Sequence, residues 1–268
     1  MADTELIQAE RDAVAVLGLL AHCWIRFDSP VPFPGDSATS HVAGLNIHGA
    51  LIDHVDGDVL GLASNSIHAD GSPVQHAEQR VLREAIDALA AKRPRKAHES
   101  IERYYRTQMF MAEGATPRDF LDGGATLYTT LEPCPMCATT ALVCRVKRLV
   151  YIIPDDKYGG AWTYVKDRFY SADPSTYLPA SIGEHGSGWA DEVGALHARL
   201  CLRAKELKSS GVRDTHVLDH CRSELEEAFN MILATNPGDL VSLQQGDRRN
   251  ARSLAGFKRR LGMPSLEA

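Results

Sequence analysis

Apolar residues recur along this chain with two periods, and the switches between them outline the elements. Val14, Leu17, Ala21 and Trp24 share one face at helical spacing, which predicts a helix over 5–26. "DSPVPFPGDSATS" (28–40) breaks that pattern as a Pro/Gly/Ser loop. "LNIHGALIDHVDGDVLGLASN" then reads as two short strands joined near Asp56-Gly57, a hairpin signal. Helical spacing returns with Val81, Leu82, Ala85, Ile86 and Leu89 and fades by about Ala91. "KRPRKAHESIERYYR" brings a basic break and a second predicted helix. "ATLYTTLE" (125–132) predicts a buried strand, and "KRLVYIIP" (147–154) another. Between them "PCPMCATTALVC" predicts a helix with prolines in its first turn, where a missing N–H costs little.

The order α-ββ-α-(insert)-β-α-β predicts an α/β protein of three layers, α/β/α, with a mixed central sheet and a hairpin at one edge. "SADPSTYLPASIGEHGSG" reads as a loop-like linker. Beyond it, helical stretches at 190–209, at roughly 213–235 and in a basic final segment predict a helical C-terminal extension. The expected organisation is one main domain over 1–171, with an insertion at about 92–124, followed by a linker and extension over 172–268.

Composition narrows the partners. The 268 residues are 44% hydrophobic and 24% charged, ordinary for a globular chain with a sizeable core. With 29 Lys+Arg against 35 Asp+Glu, the net charge of -6 argues against a protein built mainly to hold nucleic acid. Two basic patches oppose that balance. One is Lys92, Arg93, Arg95 and Lys96 near Tyr104 and Tyr105. The other is the tail with Arg248, Arg249, Arg252, Lys258, Arg259 and Arg260. Basic residues near aromatics suit single-stranded RNA or a phosphate, but solvated helix faces and tails explain such runs more often, and the acidic overall balance favours a small substrate. No apolar run is long enough to span a membrane, and the first residues lack the basic and apolar regions of a signal peptide, so a cytoplasmic protein is expected. The six cysteines are scattered except for Cys134 and Cys137, so a disulfide framework is not expected.

That cysteine pair is the strongest chemical signal. Cys134 and Cys137 lie three apart at a predicted helix start, so both thiols share one face. Exposed N–H groups and the helix dipole there favour thiolate, the form that binds zinc. A redox pair is the competing reading. His76, at the start of another predicted helix, supplies a third ligand type and turns the set into His plus two Cys, with the fourth tetrahedral position left for water. Glu78 stands two residues beyond His76. It can reach that water without occupying the metal, and can take and return a proton. A surface histidine and a carboxylate partnering a helix dipole are the plainer alternatives. Cys144 is two turns beyond Cys137, too far along the helix to share one ion, and reads as a buried small residue.

His76-Ala77-Glu78 followed by Pro133-Cys134-Pro135-Met136-Cys137 resembles the signature of the cytidine/deoxycytidylate deaminase superfamily. "LYTTLEPCPMC" is closest to the branch of guanine deaminases, fungal-type cytosine deaminases and tRNA adenosine deaminases. The resemblance runs from about Leu45 to Tyr158. It implies a catalytic Zn2+ held by His76, Cys134 and Cys137, with Glu78 as the proton-transfer residue. It also implies a homodimer or larger assembly. Asn65, eleven residues before His76, matches the position that hydrogen-bonds the substrate ring in that branch; a turn-forming Asn is the alternative. Asp167 is the loosest match to the acid that reads the purine in guanine deaminases, and an exposed loop acid is the plainer reading. Asp155 and Asp156 follow the same strand. Trp162 and Tyr164 are candidates for stacking on a heterocycle, with core or interface packing as the alternative, and His48 sits near the expected pocket floor, where a satisfied core histidine is the plainer reading.

The expected activity is hydrolytic deamination of a small nucleobase, nucleoside or related amino-heterocycle. Deamination of adenosine in tRNA is the second reading. A non-catalytic, zinc-stabilised binding module is a third. The 57 residues between His76 and Cys134 exceed those of compact relatives, and substrate choice has room to differ there.

Overall fold

The computed structural model describes residues 2–28, 46–53, 56–67, 71–92, 125–144, 146–161, 176–180, 188–244 and 246–264. Five strands form one mixed sheet in the order β2-β1-β3-β4-β5. They are β1 (His48–Asp53), β2 (Val59–Ser64), β3 (Ala125–Leu131), β4 (Arg148–Ile153) and β5 (Thr176–Pro179). β1 runs antiparallel to both β2 and β3, whereas β3–β4 and β4–β5 are parallel. The hairpin turns where the sequence places it: Gly57 has φ +80°, and the Asp56 carboxylate accepts the Asp58 N–H at 3.0 Å.

Alternation along the strands splits the core into two layers. Leu51, Leu60, Leu127 and Leu149 face α2 (Ala77–Lys92) and α3 (Pro135–Val143). Ala50, Ile52, Tyr128, Val150 and Ile152 face the other way. There they meet α1 (Ala2–Asp28), α4 (Gly188–Ser209), α5 (Arg222–Ala234) and α6 (Arg249–Arg260). The middle of α1, from Ala13 to Leu17, is fully buried on every side, as expected of a helix wrapped by neighbours. α2 lies tight on the hairpin because the strands carry glycine beneath it. A Cβ on Gly61 would come within 2.6 Å of the Val81 carbonyl, and one on Gly49 within 3.3 Å of the Val81 side chain.

The expected three-layer fold and helical extension are therefore present, with one correction. The stretch read as a linker after residue 171 contains β5, which pairs with β4 and continues the sheet past the expected boundary. Its four residues end in Pro179, and proline is tolerated only where a ladder bond is dispensable, as on this edge. Pairing with β4, not local pattern, makes it a strand. The helices of the extension are not an appendage: α4, α5 and α6 share one apolar core with α1. The basic break and second helix expected in the insertion lie outside the described residues.

Candidate metal centre and active site

Both helices of the smaller layer begin at the same end of the sheet, and their first turns carry the chemistry. Pro135 opens α3, with Cys134 as its N-cap and Cys137 one turn in. His76 immediately precedes α2, and Glu78 lies in its first turn. The candidate ligand atoms of His76, Cys134 and Cys137 all lie within 4.8 Å of one another, with Cys134 Sγ 3.7 Å from His76 Nδ1. Among the described residues no other His, Cys, Asp or Glu joins the set.

The electrostatics fit a dication. A bond from Cys137, followed by one from His76, draws the Cys134 thiol down to about 4. The same sulfur–sulfur contact and burial push Cys137 up. Two thiols this close hold one proton between them, and a metal ion in its place takes both as thiolates. His76 is raised by its contact with Cys134, so here too the surroundings favour positive charge. Gln79 donates to Thr140 Oγ1 at 2.8 Å and reaches Cys137 Sγ at 3.9 Å, steadying that sulfur from the facing helix.

Glu78 supplies the sharpest test of fit. It is 3% exposed, and its Oε2 has no partner among the described residues. Burial pushes its carboxyl up to about 7. A buried carboxylate oxygen without a donor is costly, so one left at a three-ligand cluster fits a position for metal-activated water.

The other expected residues divide. Asn65 follows β2, is buried, and is anchored by its N–H to the Ile47 carbonyl. Its Oδ1 accepts the Ile67 N–H at 3.0 Å, so the turn role is real and only the Nδ2 end remains to donate elsewhere. Asp155 Oδ1 caps the N–H groups of Lys157 and Tyr158 in its own turn, and Asp156 pairs with Lys208 of α4, so both acids are engaged within the fold. Cys144 ends α3 outside the cluster, as expected. Asp167, Trp162 and Tyr164 lie outside the described residues.

Two contributors escaped the sequence reading. One is Gln79. The other is Glu132, which accepts N–H bonds from Asp155 at 3.0 Å and Gly160 at 2.8 Å and thereby ties the turn after β4 to the zinc segment. Its place directly before Pro133-Cys134 was the available signal. The basic tail is engaged within the fold. Lys258 donates to the carbonyls of Leu233 and Thr235 at the end of α5. Arg249 pairs with Asp247. Arg260 binds the carbonyls of Val59 and Leu60 and the Glu84 carboxylate.

An α/β/α sheet protein with a His/Cys/Cys centre and a buried carboxylate beside it is a zinc-deaminase-type domain. Residues 45–153 match the family model described as the cytidine and deoxycytidylate deaminase zinc-binding region. A tRNA-specific adenosine deaminase of Agrobacterium fabrum is 30% identical over 153 residues, 57% of this chain and 78% of that protein. The chain belongs to this deaminase family. A tRNA-specific adenosine deaminase of Bacillus subtilis is 30% identical over 109 residues, 41% of this chain and 50% of that protein. A tRNA(Ile)-lysidine synthase of Deinococcus radiodurans is 32% identical over 111 residues, 41% of this chain. The match spans half of the Bacillus protein and 14% of the Deinococcus one.

Proposed function

We propose that the protein is a zinc-dependent hydrolytic deaminase of a small nucleobase, nucleoside or related amino-heterocycle. The observation that carries this is the unpartnered Glu78 Oε2 beside the His76/Cys134/Cys137 cluster. Bound zinc supplies Lewis-acid activation of water near neutral pH. Glu78, poised near 7, takes one proton from the attacking water and passes it to the ring nitrogen, then takes the second from the hydroxyl left on the carbon and passes it to the departing amine. A carbonyl replaces the amino group, and ammonia leaves. The Nδ2 end of Asn65 is assigned to the ring edge, and Asp167 is kept as the candidate acid for a purine. The catalytic unit in this reading is 1–171, extended by β5. The chain works as a homo-oligomer in the cytoplasm, where its six free thiols suit a reducing compartment. No helix among the described residues is long and apolar enough to cross a membrane.

Adenosine in tRNA is the second reading, and the names of the relatives carry it. Against it stands the tail, whose Arg249, Lys258 and Arg260 are already engaged within the protein. A purely structural zinc module wants a fourth protein ligand, and the cluster offers three among the described residues. An ammonia-release screen of the zinc-loaded chain over free bases, nucleosides and tRNA decides among these. Turnover of small heterocycles supports the proposal, turnover of tRNA alone promotes the second reading, and no release at all leaves the module.

A further inference from the structure

A second polar cluster lies at the same end of the sheet, on the opposite face from α2. His48 Nε2 meets Asn46 Oδ1 at 2.5 Å, and His48 Nδ1 meets His22 Nδ1 of α1 at 3.0 Å. Both imidazoles are buried and neutral: desolvation takes His22 down to about 3 and His48 well below its usual range. Neutral rings fix the protons. With Nε2–H of His48 given to Asn46 Oδ1, His48 Nδ1 is a bare lone pair, and His22 Nδ1 carries the proton between the rings. The amide of Asn46 is thereby oriented, and its Nδ2 is turned away from His48. That Nδ2 is buried and has no partner among the described residues.

The ladder locates it. Gly49 pairs with Thr129, and continuing that register sets Asn46 level with Glu132, two residues before Cys134. On the other side His48 pairs with Ser64, and the Ile47 carbonyl accepts the Asn65 N–H. A Cβ on Gly49 would touch the backbone of Ala77, the residue between His76 and Glu78. Asn46 therefore lies at the end of β1 nearest the zinc segment and Asn65, and the start of α2 packs on the other face of the same strand.

We propose that Asn46, oriented by His48 and His22, donates its Nδ2–H to a ring carbonyl of the substrate and selects oxo-bearing amino-heterocycles over those without the carbonyl. This deepens the deaminase reading and rests on it. His48 and His22 are positioning residues that act through Asn46.

The test uses the zinc-loaded full chain and two matched pairs, guanine with 2-aminopurine and cytosine with 4-aminopyrimidine, each differing by one ring carbonyl. Asn46→Asp keeps the oxygen that His48 binds and removes the donor. Whichever oxo compound is turned over should show KM raised roughly tenfold, with much less change for its partner, and zinc content and kcat nearly intact. His48→Leu should give a smaller loss of the same kind, and the double variant should be no worse than Asn46→Asp alone. Equal losses across a pair, additive losses in the double variant, or wild-type preference for the compound lacking the carbonyl would overturn the proposal. If wild type releases no ammonia from any of the four, the deaminase reading is judged apart from this test, by the wider screen over nucleosides and tRNA. Ligand-induced Tm shifts then decide for Asn46: a shift with the oxo compounds that Asn46→Asp loses supports it, and no shift, or an unchanged one, overturns it.

Discussion

The two faces of the sheet treat buried polar groups in opposite ways. On the face covered by α1 and the C-terminal helices, buried charges are closed into pairs. Asp12 accepts two bonds from Arg148, at 2.5 and 2.6 Å, and one from Tyr128 at 2.7 Å. Glu10 takes N–H groups of Val241 and Ser242 and the Asn250 amide, which also binds Arg11. Lys258 ends on two carbonyls. Among the described residues the open groups on this side are neutral: Ser242 Oγ and, at the sheet end, Asn46 Nδ2. On the α2/α3 face a carboxylate, Glu78, is left with an open oxygen beside three metal-type ligands. An unpaired buried carboxyl costs far more than a hydroxyl, so it marks chemistry, whereas the paired charges mark architecture.

The comparison breaks most sharply at the centre itself. Cys134→Ala should lose the metal and all turnover, as read by elemental analysis and ammonia release. Glu78→Gln should keep both fold and zinc yet lose roughly 10²–10⁴-fold in kcat, because the amide cannot accept the proton. Zinc loss in that variant would make Glu78 a ligand instead, and near-normal turnover would remove it from the mechanism.

At the Asp12–Arg148 pair on the opposite face the expected loss is stability alone. Asp12→Asn leaves Arg148 without its carboxylate, and breaking a buried pair of this kind costs about 3–5 kcal/mol. The thermal midpoint should fall by roughly 6–15 °C at unchanged zinc content and unchanged turnover per folded molecule. A loss of kcat without a loss of Tm would mean the two faces are coupled.

The pH dependence of the metal-stripped chain separates the faces again. Burial raises Glu78 above its unfolded value, to about 7, so the folded chain binds this proton more tightly than the unfolded one. The associated stability is fully present below the unfolded value of about 4.5 and is lost as pH rises through about 7. Stripped Glu78→Gln should therefore be more stable than stripped wild type at pH 8, by on the order of 3 kcal/mol, and nearly equal to it at pH 4. Melting curves at the two pH values check this, and equal gains at both would dismiss the raised carboxyl.

The smallest effect belongs to the tail. Arg260→Ala should cost about 1 kcal/mol by uncovering the Val59 and Leu60 carbonyls of the β2 edge, and should leave small-substrate turnover intact. A steep, salt-dependent loss of RNA binding instead would restore the tail to a nucleic-acid role.

How legible each feature was depends on whether its cause is local. The helix over 2–28, the hairpin at Gly57 and the strands at 125–131 and 148–153 follow from apolar period and turn residues, and the chain reads them directly. The zinc set is legible too. Its ligands come from two short motifs, and each motif starts a helix by local rules: a proline at the first position of α3, and apolar spacing in α2. β5 was not legible, because four residues ending in proline become a strand only when β4 offers its edge. Gln79 and Glu132 were hidden for a related reason. Their partners, Thr140 and the turn at 155–160, are distant in sequence and close only once α2, α3 and β4 are packed.

The basic tail shows the division most plainly. Composition determined that the last residues are cationic and amphipathic. Only tertiary structure decided that Lys258 would end on the α5 carbonyls and Arg260 on the open edge of β2. A charge in sequence is a capacity to bind, and the nearest unsatisfied oxygen in the folded chain determines what it binds. The same holds at the centre. Residue type and spacing determined that His76, Cys134 and Cys137 could hold a metal, and the meeting of two helix starts at one end of the sheet brought their ligand atoms within 4.8 Å and left one Glu78 oxygen, Oε2, open beside them.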